Sequence, residues 1–339
     1  MKRKVISIIL ILICTICIIG NTSITNADAS EYSYENFLDS YNDNDYIKLE
    51  DFYKLLFLQH DIDPYYIEHF IFSFSYKVDT YGYYPMVKRE TALIDLMRSY
   101  MLIPDPSEIT LYPWKDIDSD LNKQYLAYIS YAKELGITNG ITKDAFGFGK
   151  EITIKQLKAF INRINSLDLN QLQTKFKMNY KSVDSIGNLT ELAIPLVIEY
   201  LNTLPDFVEK AIIENDRTIM FCDDTIPDYE DRPVIGLTNP NEIRIITTAS
   251  YCWKFSFNEI LVHEFGHVVH KLSNMEIPYE NFNEEKLKLS YMYTSYANEN
   301  ELEYIACAWT WLYITGDEYF SKEFPETYKF IQDMIMNIK

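Results

Sequence analysis

Residues 258–272 read Asn258-Glu-Ile-Leu-Val-His263-Glu264-Phe-Gly-His267-Val-Val-His270-Lys-Leu272. Wound as a helix, this stretch sets His263 and His267 four residues apart on one face, so both imidazoles can reach one metal ion. Glu264 between them points near enough to hold a water beside that ion without ligating it. The chain has only five histidines, at positions 60, 69, 263, 267 and 270, and three of them fall here. Val262, Phe265, Gly266 and Val269 make the surroundings apolar, where unpaired imidazoles would be costly. His270 lies two turns from His263, roughly 10 Å along the axis. Those two cannot share an ion, and His270 is expected to be an outer group or exposed.

A catalytic zinc takes three protein ligands and leaves a fourth position open. A further histidine six residues after His267 is excluded, because position 273 is Ser. A glutamate from a later helix remains, and residues 296–309 offer Glu299, Glu301 and Glu303. Periodicity favours Glu303, on the border of an apolar face through Leu302, Ile305, Ala306 and Trp309. Glu299 and Glu301 fall at the helix start, where acids suit the dipole without any metal.

The whole chain bounds the reading. Its 339 residues carry a formal net charge of −19 and are 47% apolar, enough for a proper core. Residues 1–29 hold Lys2, Arg3, Lys4 and Asp28 (three cations, one acid), so without them the charge is −21. Such acidity argues against nucleic acid as a partner and fits an exported protein. Residues 1–29 read as a secretory signal: a Lys2-Arg3-Lys4 start, an apolar run over 5–19, and Ala27-Asp28-Ala29 for cleavage. The run is short for a membrane span, so no stable insertion is expected after its removal. Cys222, Cys252 and Cys307 then remain, an odd number without framework spacing, which argues against a disulfide scaffold.

Residues 30–165 have a repeat texture. Residues 124–135 read as an amphipathic helix, Gly136 and Gly140 turn the chain, and 154–164 read as a second helix. Weaker copies of the last part occur at 86–102 and 46–58. Each buries too little alone, so the three are expected to share one core. The aromatic-Asp-Ile start, the Gly-Ile-x-x-Gly turn and the Ile-Thr helix start resemble the S-layer homology repeat. That resemblance implies an all-α three-repeat domain and a cell-wall polymer as partner, bound through an Arg early in the helix. Arg89 holds that position in the second copy; Ile154 and Leu49 replace it in the third and first. The repeats either keep the wall site or keep only its packing.

Residues 166–180 are polar and unpatterned, and read as a linker. The catalytic domain is expected over 181–339, with helices at 188–201 and 205–214 and a strand at 218–222. A loop rich in Asp and Pro (223–240) then leads to a second strand at 242–248. An acidic excursion (273–288) follows the motif helix, with further helices at 298–315 and 325–338. The class is α+β, a helix-rich domain with a small sheet beside the motif helix. Strand 242–248 is expected to be a free edge on which an extended peptide pairs.

The spacing from Tyr296 to Glu303, the aromatic-Ile-Ala continuation and Pro325-Glu-Thr-Tyr-Lys-Phe-Ile-Gln332 resemble the anthrax lethal factor-like metallopeptidases. These include the secreted Pro-Pro endopeptidases of Gram-positive bacteria, and the likeness covers about residues 185–339. It implies a zincin-type fold with Zn²⁺ on His263, His267 and Glu303. It also implies Glu264 as the base that activates water and Tyr296 as hydrogen-bond donor to the oxyanion. Cys307 stands where that family has a second acid, and Leu302 replaces a Glu of the Pro-Pro enzymes. No Trp lies between positions 223 and 240, where those enzymes carry a substrate contact. The expected function is a secreted zinc endopeptidase acting on extracellular or cell-surface proteins, with cleavage near proline in question. The alternatives are a toxin protease acting on host proteins and a wall-associated binding protein with an inactive peptidase domain.

Overall fold

Three short extended segments, one from each repeat copy, meet as the three sides of a triangle. Tyr46 bridges Thr153, Lys48 bridges Met86, and Lys88 bridges Glu151, each antiparallel. Backbone bonds reinforce the ring, with Val87 N donating to Ile47 O at 3.0 Å and Ile152 N to Val87 O at 2.9 Å. Each segment leads directly into a helix, so one small ring fixes the starts of three helices.

This computed structural model describes residues 34–60, 62, 86–108, 114–117, 123–182, 189–222, 235–246 and 257–338. The expected leader at 1–29 and most of the 223–240 loop lie outside them, as do the last two residues of the 242–248 strand. The chain divides into two compact units. The first, Met1–Tyr41, contains helix α1 (Tyr34–Asp39). The second, Asn42–Lys339, holds everything else.

Helices α2 (Leu49–Gln59), α3 (Arg89–Ser99), α4 (Lys123–Glu134) and α5 (Ile154–Asn165) correspond to the helices expected in the repeats. They bury Phe52, Leu56, Leu93, Met97, Tyr128, Ile129, Leu157 and Ile161 in a common core. Thr153 and Gln156 form a capping box at the start of α5, and the equivalent Lys48 and Lys88 make no side-chain cap. Gly140 closes the preceding turn at φ +75°, and a Cβ there would lie 2.5 Å from the Ala145 carbonyl and from the Trp114 indole nitrogen.

The stretch expected as a linker is ordered and tied down. It carries α6 (Leu169–Leu172), Thr174 N donates to Met101 O at 2.8 Å, and the chain then enters strand β1 (Asn179–Ser182). Helices α7 (Leu189–Leu201) and α8 (Asp206–Glu214) and strands β2 (Thr218–Cys222), β3 (Gly236–Thr238) and β4 (Glu242–Ile246) follow. Then come α9 (Phe257–Ser273), α10 (Asn283–Met292), α11 (Glu301–Thr315), α12 (Asp317–Glu323) and α13 (Pro325–Asn337). The fold is α+β and helix-rich. No helix among the described residues is long and apolar enough to cross a membrane.

The four strands form one mixed sheet in the order β1-β2-β4-β3, parallel except for β3 against β4. This corrects the expectation for residues 242–248. β4 is an interior strand, paired with β2 through Met220↔Arg244 and with β3 through Leu237↔Arg244. Ile243, Ile245 and Ile246 are all buried, the pattern of a strand covered on both faces. The edge beside the motif helix is the three-residue β3, too short to stand out as a strand by pattern.

A buried polar network joins the repeats to α7. The Arg98 guanidinium grips the Glu199 carboxylate at 2.6 and 2.7 Å, Tyr128 donates to Glu199 Oε1 at 2.6 Å, and Arg98 also pairs with Asp95 at 2.8 Å. Tyr53 completes the chain by donating to Asp95 at 2.8 Å. Glu199 is 8% exposed, so removing it leaves the largely enclosed Arg98 guanidinium without its main partner. Glu199→Ala should therefore cost about 3–5 kcal/mol of stability. Denaturant unfolding of the whole protein measures this, and a loss below about 1 kcal/mol would show the network to be incidental.

Candidate metal centre

The motif helix α9 runs from Phe257 to Ser273 and buries Ile260, Leu261, Val262, Phe265, Val268 and Val269. His263 and His267 are largely covered, at 15% and 17% side-chain exposure, and face α11. Gly266 makes the approach possible. A Cβ there would lie 3.1 Å from Ala306 Cα and 3.2 Å from Trp309 Cβ, so α11 packs almost against the α9 backbone. Trp309 is held in turn by Tyr200, whose hydroxyl accepts from the indole N–H at 2.7 Å and whose ring lies 5.3 Å from that of Phe265.

Helix α11 begins so as to present Glu303. Asn300 caps it, its side-chain oxygen accepting from Leu302 N and Glu303 N at 3.0 Å each. Glu303 thus sits in the first turn with its backbone fixed and its carboxylate directed at α9. Oε2 lies 3.0 Å from His263 Nε2 and 3.5 Å from His267 Nε2. The three ligand atoms all lie within 4.8 Å of one another. Ligands at 2.0–2.2 Å around a tetrahedral ion stand about 3.4 Å apart, so this group can hold a metal ion.

Charges at the centre are mutually arranged. Burial alone would raise the Glu303 pKa, but hydrogen bonds from His263 and His267 outweigh it and bring it down to about 2. For His267, burial disfavours protonation, while Glu303 and Glu264 prevail and raise its pKa. Glu264 is 4% exposed, and burial raises its carboxyl against the pull of both histidines and a hydrogen bond from Thr238. Thr238 Oγ1 donates to Glu264 Oε2 at 2.7 Å and lies 3.1 Å from the Glu264 carbonyl oxygen.

Tyr296 lies in a 3₁₀ turn (Ser295–Asn298) with its ring 5.9 Å from that of His263, half exposed. Burial, followed by the charges of Glu303, Glu299 and Glu264, raises its pKa, so the phenol keeps its proton. Glu299 and Glu301 are exposed and stand outside the group. His270 Nε2–H donates to the Met275 carbonyl at 2.9 Å, tying down the end of α9. Cys307 is buried with its sulfur 3.9 Å from His263 Nδ1, in the place where an outer partner of a ligating histidine is expected.

Sequence reasoning named His263, Glu264, His267, Tyr296 and Glu303, and the structure brings all five together. It missed Thr238 and Gly236, since a Gly-Leu-Thr tripeptide beside masking loop composition carries no strand signal. It also missed the packing role of Gly266, whose position inside the motif was visible but whose neighbours were not.

Comparison with protein-family models gives no match, and comparison with curated proteins gives none. The donor set makes its own forecast. Glu303→Ala should weaken metal binding by more than about 100-fold, since losing even an outer partner of a ligand costs 10–100-fold. Glu299→Ala and Glu301→Ala should leave it unchanged. Competition titration against a chromophoric chelator reads all three.

Proposed function

We propose that this chain is a zinc-dependent endopeptidase of the lethal factor-like kind, exported by means of its first 29 residues. The observation that carries the proposal is the convergence of His263 Nε2, His267 Nε2 and Glu303 Oε2 with the Glu264 carboxylate alongside. Two imidazoles and one carboxylate form the donor set of a catalytic zinc. Bound there, zinc would acidify a water and polarise the carbonyl of a peptide bond.

The protein groups have separable tasks. Glu264, poised by burial, takes the proton from the attacking water and returns it to the leaving amine. Tyr296 stays neutral and donates a hydrogen bond to the oxygen that gains charge. Peptide is held in extended form along β3, which ends the sheet order beside α9. Cys307 in place of an acid leaves His263 with a weak outer partner.

The N-terminal repeats support a wall-bound form of the same enzyme. Arg89 is 4% exposed, stacked within 4.6 Å of the Phe160 ring centre, and its Nε has no hydrogen-bond partner among the described residues. It faces a cavity of about 250 Å³ lined also by Gly140, Gln156 and Arg163. Burial and the Arg163 charge bring its pKa down to about 10, so a polyanion is the partner that suits this pair. Arg163→Gln should reduce sedimentation of the protein with purified cell wall by at least about fivefold, the loss of one charge contact. Undiminished sedimentation would show the repeats to be packing alone.

A combinatorial peptide library tests the main reading. The zinc-loaded protein should cleave it, Glu264→Ala should retain zinc and lose about 10³-fold or more in rate, and Tyr296→Phe should lose about 10²-fold. Equal cleavage by wild type and Glu264→Ala would sink the proposal.

A further inference from the structure

We propose that Thr238 and Gly236 of strand β3 are positioning residues for Glu264, holding one carboxylate oxygen and leaving the other free to carry the proton. This deepens the peptidase reading and rests on it. Residues 236 and 238 are two apart on a strand and so share one face. That face meets α9. The pairings Gly236↔Ile245 and Thr238↔Ile243 fix β3 against the interior strand β4, whose isoleucines are buried. The two groups that touch Glu264 therefore stand on a rigid element.

Their contacts divide the carboxylate. Thr238 Oγ1 donates to Oε2 at 2.7 Å. A Cβ added at Gly236 would lie 2.3 Å from Oε1, 2.8 Å from Cδ and 2.9 Å from Cγ. All three nearest atoms belong to this one side chain, so any residue larger than glycine would push the carboxylate out of place. Glu264 is 4% exposed and cannot swing into solvent to escape. Terminal carboxylate torsions are broad and roughly two-fold, which would let the oxygens exchange roles. The hydroxyl removes that freedom: Oε2 accepts from Thr238, and Oε1, over the bare strand backbone, is the oxygen that takes the proton from water and gives it to the amine.

The contact also satisfies a buried charge. A carboxylate in an apolar helix needs a donor, and Thr238 supplies it from a second element. The Thr238 hydroxyl is thus expected to affect both the order of the site and the rate of proton transfer, while only the main chain of β3 meets the peptide.

The test uses the full-length zinc-loaded protein with Thr238→Val, Thr238→Ser and Gly236→Ala, on a peptide that wild type cleaves. Thr238→Val should lower kcat about 10–100-fold with KM and zinc affinity within about twofold. Thr238→Ser should restore kcat to within about threefold, and Gly236→Ala should lower it by at least as much as Val. A second measurement needs no turnover. In metal-free protein, Thr238→Val should lower Tm by about 2–4 °C when Glu264 is present and by less than about 1 °C in a Glu264→Ala background. Active wild type with an equally active Thr238→Val variant, or no rescue by Ser, overturns the positioning role and leaves the peptidase reading standing. Equal Tm losses in both backgrounds overturn it too. A zinc-loaded wild type that cleaves no library peptide overturns both readings together.

Discussion

Gly266 lets two helices touch. With no side chain at that position, α11 comes so near to α9 that an added Cβ would lie 3.1 Å from Ala306 Cα. This contact is one helical turn from His263 on α9 and one turn from Glu303 on α11. The distance between the imidazoles and the carboxylate follows from it, because a helix transmits a fixed offset over three residues. Trp309, one further turn along α11, closes over the same glycine and is pinned by the Tyr200 hydroxyl. The position of Glu303 is thus a packing result, and Asn300 only finishes it by fixing where α11 begins.

A site of this kind sets polar groups among apolar neighbours, and each has been given a partner. Glu303 answers both histidines, Thr238 answers Glu264, and the Cys307 sulfur lies beside the outer nitrogen of His263. Those partners come from two segments distant in sequence, strand β3 and helix α11. They order the ligands before any cation arrives, which lowers the entropy cost of assembling the centre. The same pairing means that a cation bound there would replace the contacts between Glu303 and the two histidines.

Helix α7 has two duties that meet in neighbouring residues. Glu199 turns into the repeats and binds Arg98 and Tyr128, while Tyr200 turns toward α9 and α11 and holds Trp309. Successive residues on a helix point about 100° apart, so one turn can serve two cores. The repeats and the candidate metal centre therefore share a structural element, and residues 166–180 act as a packed join with its own hydrogen bonds to Met101 and Ile103.

What was readable in the chain was whatever depends on local spacing. The i, i+4 histidines, the border position of Glu303, the helices of the repeats and strand 218–222 all follow from periodicity, which side-chain direction makes legible along one element. The sequence by itself thus determined the candidate ligand types and the helices that carry them. Tertiary structure alone decided that β4 is interior, that β3 is the edge, and that Thr238 and Gly236 face Glu264. It also decided that Gly266 is a contact point, because these depend on which surfaces of separate elements meet, in the case of Gly266 and Ala306 across 40 residues of chain. Pairing between strands and close approach between helices are properties of two partners at once, and no single stretch of sequence records its partner.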